Sequence, residues 1–154
     1  MNDAAAELPP PEGWEKVSHV SAFADLIGPS YQRREGEITL RAFRVQPKHA
    51  NRMGLAHGGM LMSFADNVLS RAGVMASREE QELDQGASVT LRMTCDFVAP
   101  AAIGDWVEGR AWVERLSAST IFLAGKLTVG KRVVMTMTGL WARVRPRPLV
   151  PPVS

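Results

Sequence analysis

The chain has 154 residues, 45% of them apolar, and a formal net charge of +2. That length suits one domain with one core, and the composition suits a soluble globular protein. So small a charge excludes the like-charge blocks that mark nucleic-acid or membrane-surface binders, and the single cysteine, Cys95, excludes an internal disulfide and a multi-cysteine metal site.

The N-terminus, "MNDAAAELPPPEGW", has no basic start and no apolar run long enough for a signal peptide. No apolar stretch approaches the ~18 residues of a membrane span. The chain is therefore expected to be soluble and cytoplasmic. Seven of the ten prolines fall at Pro9, Pro10, Pro11, Pro146, Pro148, Pro151 and Pro152. Proline cannot hold helix-interior or central-strand hydrogen bonds. Residues 1–12 and 146–154 are thus expected to be loose tails around one domain spanning 13–145.

Within that domain, "WEKVSHVSAFADLIG" fits a short helix ending near Gly28. "GEITLRAFRV" alternates as a strand, with Ile38, Leu40 and Ala42 on one face and Thr39, Arg41 and Phe43 on the other. Pro47 and "KHANRMG" read as loop. Residues 58–77 read as a helix, because Leu61, Ala65, Val68, Leu69 and Ala72 fall on one face, while Met60, Phe64 and Val74 add apolar bulk elsewhere. A helix this apolar is buried on most sides. "SREEQELDQG" then returns to charged loop.

The remainder is strand. In "SVTLRMTCDFV", Val89, Leu91, Met93, Cys95 and Phe97 are expected on one face, and Ser88, Thr90, Arg92, Thr94 and Asp96 on the other. "DWVEGRAWVERL" alternates with Val107, Ala111 and Val113 inward. "TIFLAGKLTV" and "RVVMTMTGLWARV" meet around Gly130-Lys131 as a hairpin. Successive strands with short connections favour an antiparallel sheet, and one sheet around one helix is an α+β architecture. Outward Trp106 and Trp112, with Phe43 and Val45, point to subunit association on that side.

Asp66 interrupts the apolar helix. An unpartnered buried carboxylate is costly, so it marks either a use or a structural partner such as Arg71 or Arg92. Gly58 and Gly59 stand where a loop meets the helix N-terminus. They either make a tight loop or let a ligand reach N–H groups that carry the positive end of the helix dipole. Eight residues separate Gly58 from Asp66, roughly 12 Å along a helix. One carbonyl cannot easily touch both in one chain, whereas a two-fold dimer would join the glycine turn of one chain to the acid of the other.

The stretch Asn51-x-x-Gly54-x-x-His57-Gly58-Gly59 followed by Asp66 resembles the signature of hotdog-fold acyl-CoA thioesterases of the PaaI-like, phenylacetate-pathway type, over about residues 20–145. The resemblance implies a long central helix wrapped by a curved antiparallel sheet. It implies hydrolysis of an acyl- or aryl-CoA thioester to the free acid and coenzyme A, with no cofactor and no metal. Asp66 would be the nucleophile or general base, the Gly58 N–H would polarise the thioester carbonyl, and His57 and Asn51 would orient the carbonyl or water. Ser88 would help to hold that water; its alternative is a plain sheet residue. Gly59, Met60 and Arg92 would meet substrate, and Arg143 and Arg145 are further basic residues within reach of coenzyme A phosphates. The partners implied are acyl-CoA and further copies of the chain, as a dimer with shared sites and a homotetramer of two dimers, with no nucleic acid and no membrane. A non-catalytic acyl-CoA sensor and a hotdog dehydratase or hydratase are the alternatives. His19 and His49 lack neighbours at metal-ligand spacing, and Cys95 falls in the core.

Overall fold

The computed structural model describes residues 8–18, 21–80 and 87–144. Three strands, β1 (Glu15–Lys16), β2 (Tyr31–Glu35) and β3 (Ile38–Arg44), precede the long helix α2 (Gly58–Glu80), and a short helix α1 (Ala22–Ile27) lies between β1 and β2. Four strands follow: β4 (Ala87–Phe97), β5 (Trp106–Leu116), β6 (Thr120–Val129) and β7 (Arg132–Val144). All pair antiparallel in one seven-stranded sheet of order β1-β2-β3-β5-β6-β7-β4. This is the expected α+β architecture of one helix against one sheet. Among the described residues no helix is long and apolar enough to cross a membrane.

The first segment splits where the sequence reading had a single helix. α1 has only six residues, begun by Ser21, whose hydroxyl accepts from the Ala24 N–H, and ended at Gly28. α2 runs three residues beyond the expected end at 77. His19, residues 81–86 of the charged segment, Arg145, and most of both proline-rich tails lie outside the described residues.

α2 lies against the sheet because its apolar side chains match what faces them. Leu61, Phe64, Ala65, Val68 and Leu69 are buried with Phe43, Val107, Ile121, Leu127, Met135 and Trp141. Each large apolar side chain so buried contributes about 1.5–3 kcal/mol. Phe64 meets Phe43 edge-to-face at 4.6 Å between ring centroids, fixing the helix on β3. Gly109 gives the closest approach to β5: a Cβ there would lie 2.5 Å from Val68 Cγ2. At β7, the Trp141 indole N–H donates to Ser70 Oγ at 3.0 Å. Register shifts at Thr90/Arg92, Val113/Arg115 and Leu127/Thr128 bend the strands around the helix.

Two expected faces are corrected. Trp106 is not an open subunit surface: Trp14 and Tyr31 cover it at centroid distances of 5.5 and 5.1 Å, in a second small core with Leu40 and Ala42. Phe43 and Val45 belong to the main core, and only Trp112 of that group remains exposed. The second correction is in β4. Its alternation is broken at Leu91, which is skipped in the pairing with β7. Thr90 pairs Trp141, and Met93, Cys95 and Phe97 pair Gly139, Met137 and Met135, all on the helix side. Val89 pairs Ala142 on the other face, where it is exposed, as is Leu91.

Candidate active site

The loop between β3 and α2 is built around His49 and Asn51. His49 is buried, accepts from the Gln46 N–H at Nδ1 (3.0 Å), and places Nε2 2.8 Å from the Ile27 carbonyl at the end of α1. Its own carbonyl accepts the His57 N–H at 2.8 Å. Burial holds the His49 imidazole below its ordinary value, the backbone bond to Ile27 opposing and Lys48 adding to the shift. Asn51 Oδ1 accepts from the N–H groups of Met53 (2.9 Å) and Leu55 (3.3 Å). The Asn51 backbone carbonyl accepts from Gly54, whose φ of +73° suits glycine at this turn. Asn51 therefore spends its side-chain oxygen on shaping the loop, and its amide donors are what remain for a ligand.

His57 ends this loop and begins α2. Its carbonyl accepts from Met60 and Leu61, and its Nδ1 accepts from the Gly59 N–H at 2.9 Å. An accepting Nδ1 puts the proton of the neutral ring on Nε2, so the free edge of His57 is a donor. Gly59 allows this cap, since a Cβ there would sit 3.2 Å from His57 Nδ1. Among the described residues no acceptor meets the N–H of Gly58, which stays open at the positive end of the helix. The Phe97 ring covers Gly58, where a Cβ would be 3.3 Å from its Cε1.

Asp66 lies two turns further along α2 and is half-buried in the single chain. Its Oδ1 accepts from Thr90 Oγ1 at 2.7 Å. Neither Arg71 nor Arg92 pairs with it among the described residues. Thr90 is the residue that sequence reasoning missed; the bulge at Leu91 is what turns it toward the helix. Ser88 shares that face, but its hydroxyl makes no hydrogen bond among the described residues, and it lies a full pleat, about 7 Å, from Thr90.

The structure thus brings together His57, Gly58 and Gly59 at one end of the helix, with Asn51 in the adjoining loop, and Asp66 with Thr90 in its middle. It does not bring Arg92 to Asp66: Arg92 pairs Leu140 on the sheet's opposite face. Met60 packs against the main core, and Arg143 Nη1 donates to the Ser117 carbonyl. Cys95 packs against the core, and burial pushes its thiol up. Among the described residues no three His, Cys, Asp or Glu side chains stand together as metal ligands.

Residues 53–136 match the family model described as the Thioesterase superfamily. A Pseudomonas aeruginosa protein named "Putative esterase PA0474" is 33% identical over 132 residues, covering 85% of this chain and 95% of that one. A solved variant of the phenylacetic acid degradation protein PaaI from Thermus thermophilus is 26% identical, with a TM-score of 0.66 over 80% of this chain and 100% of that one. A Bacillus halodurans protein solved with CoA shares the fold at a TM-score of 0.69 and 18% identity, covering 85% of this chain and 83% of that one. The helix wrapped by a curved sheet, the matched segment and the relative at 33% identity agree: this chain belongs to the thioesterase superfamily and is a hotdog-fold thioester hydrolase of the PaaI-like type.

Proposed function

We propose that the protein hydrolyses acyl- or aryl-CoA thioesters, with Asp66 as general base on water and the Gly58 N–H as donor to the thioester oxygen. The observation that carries this reading is the Thr90–Asp66 hydrogen bond. It fixes one carboxylate oxygen and leaves Oδ2 to take a proton. Thr90 Oγ1 keeps lone pairs after donating, so it and Oδ2 offer one water two acceptors. Deprotonated by Oδ2, that water adds to the carbonyl carbon. The oxygen becomes an oxyanion facing the Gly58 N–H and the helix dipole, with His57 Nε2–H and the Asn51 amide as further donors. Collapse breaks the C–S bond and releases coenzyme A thiolate, which takes up a proton.

Asp66 and Gly58 stand roughly 12 Å apart along one helix, so each site takes Gly58 from one chain and Asp66 from another. Two features support a dimer through β4. Among the described residues this strand has only β7 beside it, so its other edge offers an eleven-residue strand for pairing. Val89, Leu91 and Phe97 on it are exposed apolar side chains. Pairing of two such dimers gives the homotetramer.

Thiol release from a panel of acyl-CoAs tests the chemistry. Asp66→Asn should lower kcat by about 10²–10⁴-fold, the usual share of a positioned base. Mixed refolding tests the sharing. Asp66→Asn chains combined with chains carrying His57→Ala and Gly58→Pro should regain activity, because hybrid dimers contain one intact site. Full activity of Asp66→Asn alone sinks the mechanism, and two inactive variants that never complement sink the shared site.

A further inference from the structure

A second polar feature of the helix lies away from Asp66. Arg71 is five residues on, about 140° around the helix axis, and faces β3 and β5 rather than β4. It lines a cavity of about 200 Å³ whose other walls include Ile38, Ala72, Met75, Ala111 and Val113. Behind it Arg41 projects from β3 into the interior and is 7% exposed. The Nε atoms of both arginines are buried without a hydrogen-bond partner. Neither guanidinium has an ion pair among the described residues. Burial, and then the neighbouring Arg71, push the Arg41 guanidinium down to about 10.

A buried Arg41 beside a half-buried Arg71 of like charge, with no anion between them, is costly, and the loss of water around Arg41 adds to that cost. A chain keeps such a pair where an anion completes it. We propose that Arg71, backed by Arg41, binds the carboxylate of a small organic acid whose hydrocarbon part occupies this cavity. The guanidinium fork matches a carboxylate's two oxygens. The apolar walls suit a carboxylate carried on hydrocarbon better than a fully hydrated phosphate. Among the described residues Glu37 is the one acid on the rim. It makes no ion pair with Arg71 among the described residues, and it repels an entering anion.

The test uses hexanoate as probe and isothermal calorimetry on the intact protein with no thioester present; because a free acid is also the product released at the Asp66 site, the Arg71 variants are what assign binding to this cavity. Hexanoate should bind. Hexanol, with the same chain and no charge, and inorganic phosphate, with charge and no chain, should each bind more weakly. Arg71→Gln should weaken hexanoate by about tenfold or more, the loss of a charge-assisted hydrogen bond. Arg71→Lys, which keeps the charge and loses the fork, should fall between the two, and Glu37→Gln should tighten binding. Should Arg41→Gln fail to fold, the two Arg71 variants and Glu37→Gln still decide. Equal binding of hexanoate by wild type and Arg71→Gln overturns the proposal, as does hexanol binding as tightly as hexanoate.

Discussion

Thr90 Oγ1 lies 2.7 Å from Asp66 Oδ1, and this bond ties the edge strand of the sheet to the middle of the central helix. A hydroxyl donating to a carboxylate contributes about 1.5–3 kcal/mol when well formed. Losing it frees the carboxylate to rotate away from the water it is to deprotonate. Thr90→Val keeps the shape and removes the donor. Its kcat is expected to fall about 10- to 100-fold with KM nearly unchanged, and Thr90→Ser should recover most of the loss. Steady-state thiol release over a range of substrate concentrations checks this. An equal fall in Ser88→Ala would move the role to Ser88.

The types of α2, β3 and β4 to β7 were readable because each carries its own period, whereas the two-residue β1 and the polar β2, "YQRRE", carry none and were not. α2 shows one buried face in Leu61, Ala65, Val68 and Leu69, and β5 alternates Val107, Gly109 and Ala111 inward. The helix start was readable from His57-Gly58-Gly59, whose constraint is local. Thr90 was not readable. Val89 and Leu91 continue the apolar alternation of Met93 and Cys95, so nothing in the pattern signals that Leu91 drops out of register. Alternation reports apolar against polar, and a bulge separates that from inward against outward. The burial of Trp106 depends on Trp14, ninety-two positions earlier, and no local period can show it.

His49 supplies a pH dependence of stability. In the folded protein its Nδ1 accepts from Gln46 and its Nε2–H donates to Ile27, so a second proton on Nδ1 would break the first bond. Burial is the main cause that lowers its value from 6.5. Below about 6.5 the unfolded chain therefore binds a proton that the folded protein resists. Stability is fully present above that pH and is lost as pH falls through 6.5 toward the folded value. The slope is at most about 1.4 kcal/mol per pH unit for one proton. Urea unfolding across that range should show a steeper acid limb for wild type than for His49→Gln. His49→Gln should also lose activity at neutral pH, because the His49 loop holds His57 by its backbone. Parallel acid limbs in the two proteins would assign the dependence to other groups.

Gly58 tests whether the helix end needs close approach or only its N–H. Alanine keeps the N–H and the helix, but its Cβ would stand 3.3 Å from Phe97 Cε1, tighter than an ordinary contact. Phe97 is 53% exposed in the single chain, so its ring has room to turn outward. The strain within one chain is therefore small, and Gly58→Ala should change its folding stability by less than about 1 kcal/mol, below the usual cost of overpacking a closed core. Activity should suffer more. The methyl and the displaced ring both stand where a thioester would approach the Gly58 N–H, so kcat/KM should fall at least about tenfold, the scale of losing one donor to the developing oxyanion. Phe97→Leu in the same chain removes the ring atoms that the methyl meets and leaves the methyl itself. If crowding by the ring is the cause, the double variant recovers a large part of kcat/KM. If close approach of the thioester to the bare backbone is the cause, the double variant stays as poor as Gly58→Ala. The thioester mechanism favours the second outcome, since bare backbone at Gly58 lets the groups flanking the carbonyl pack against its Cα, where the methyl would stand.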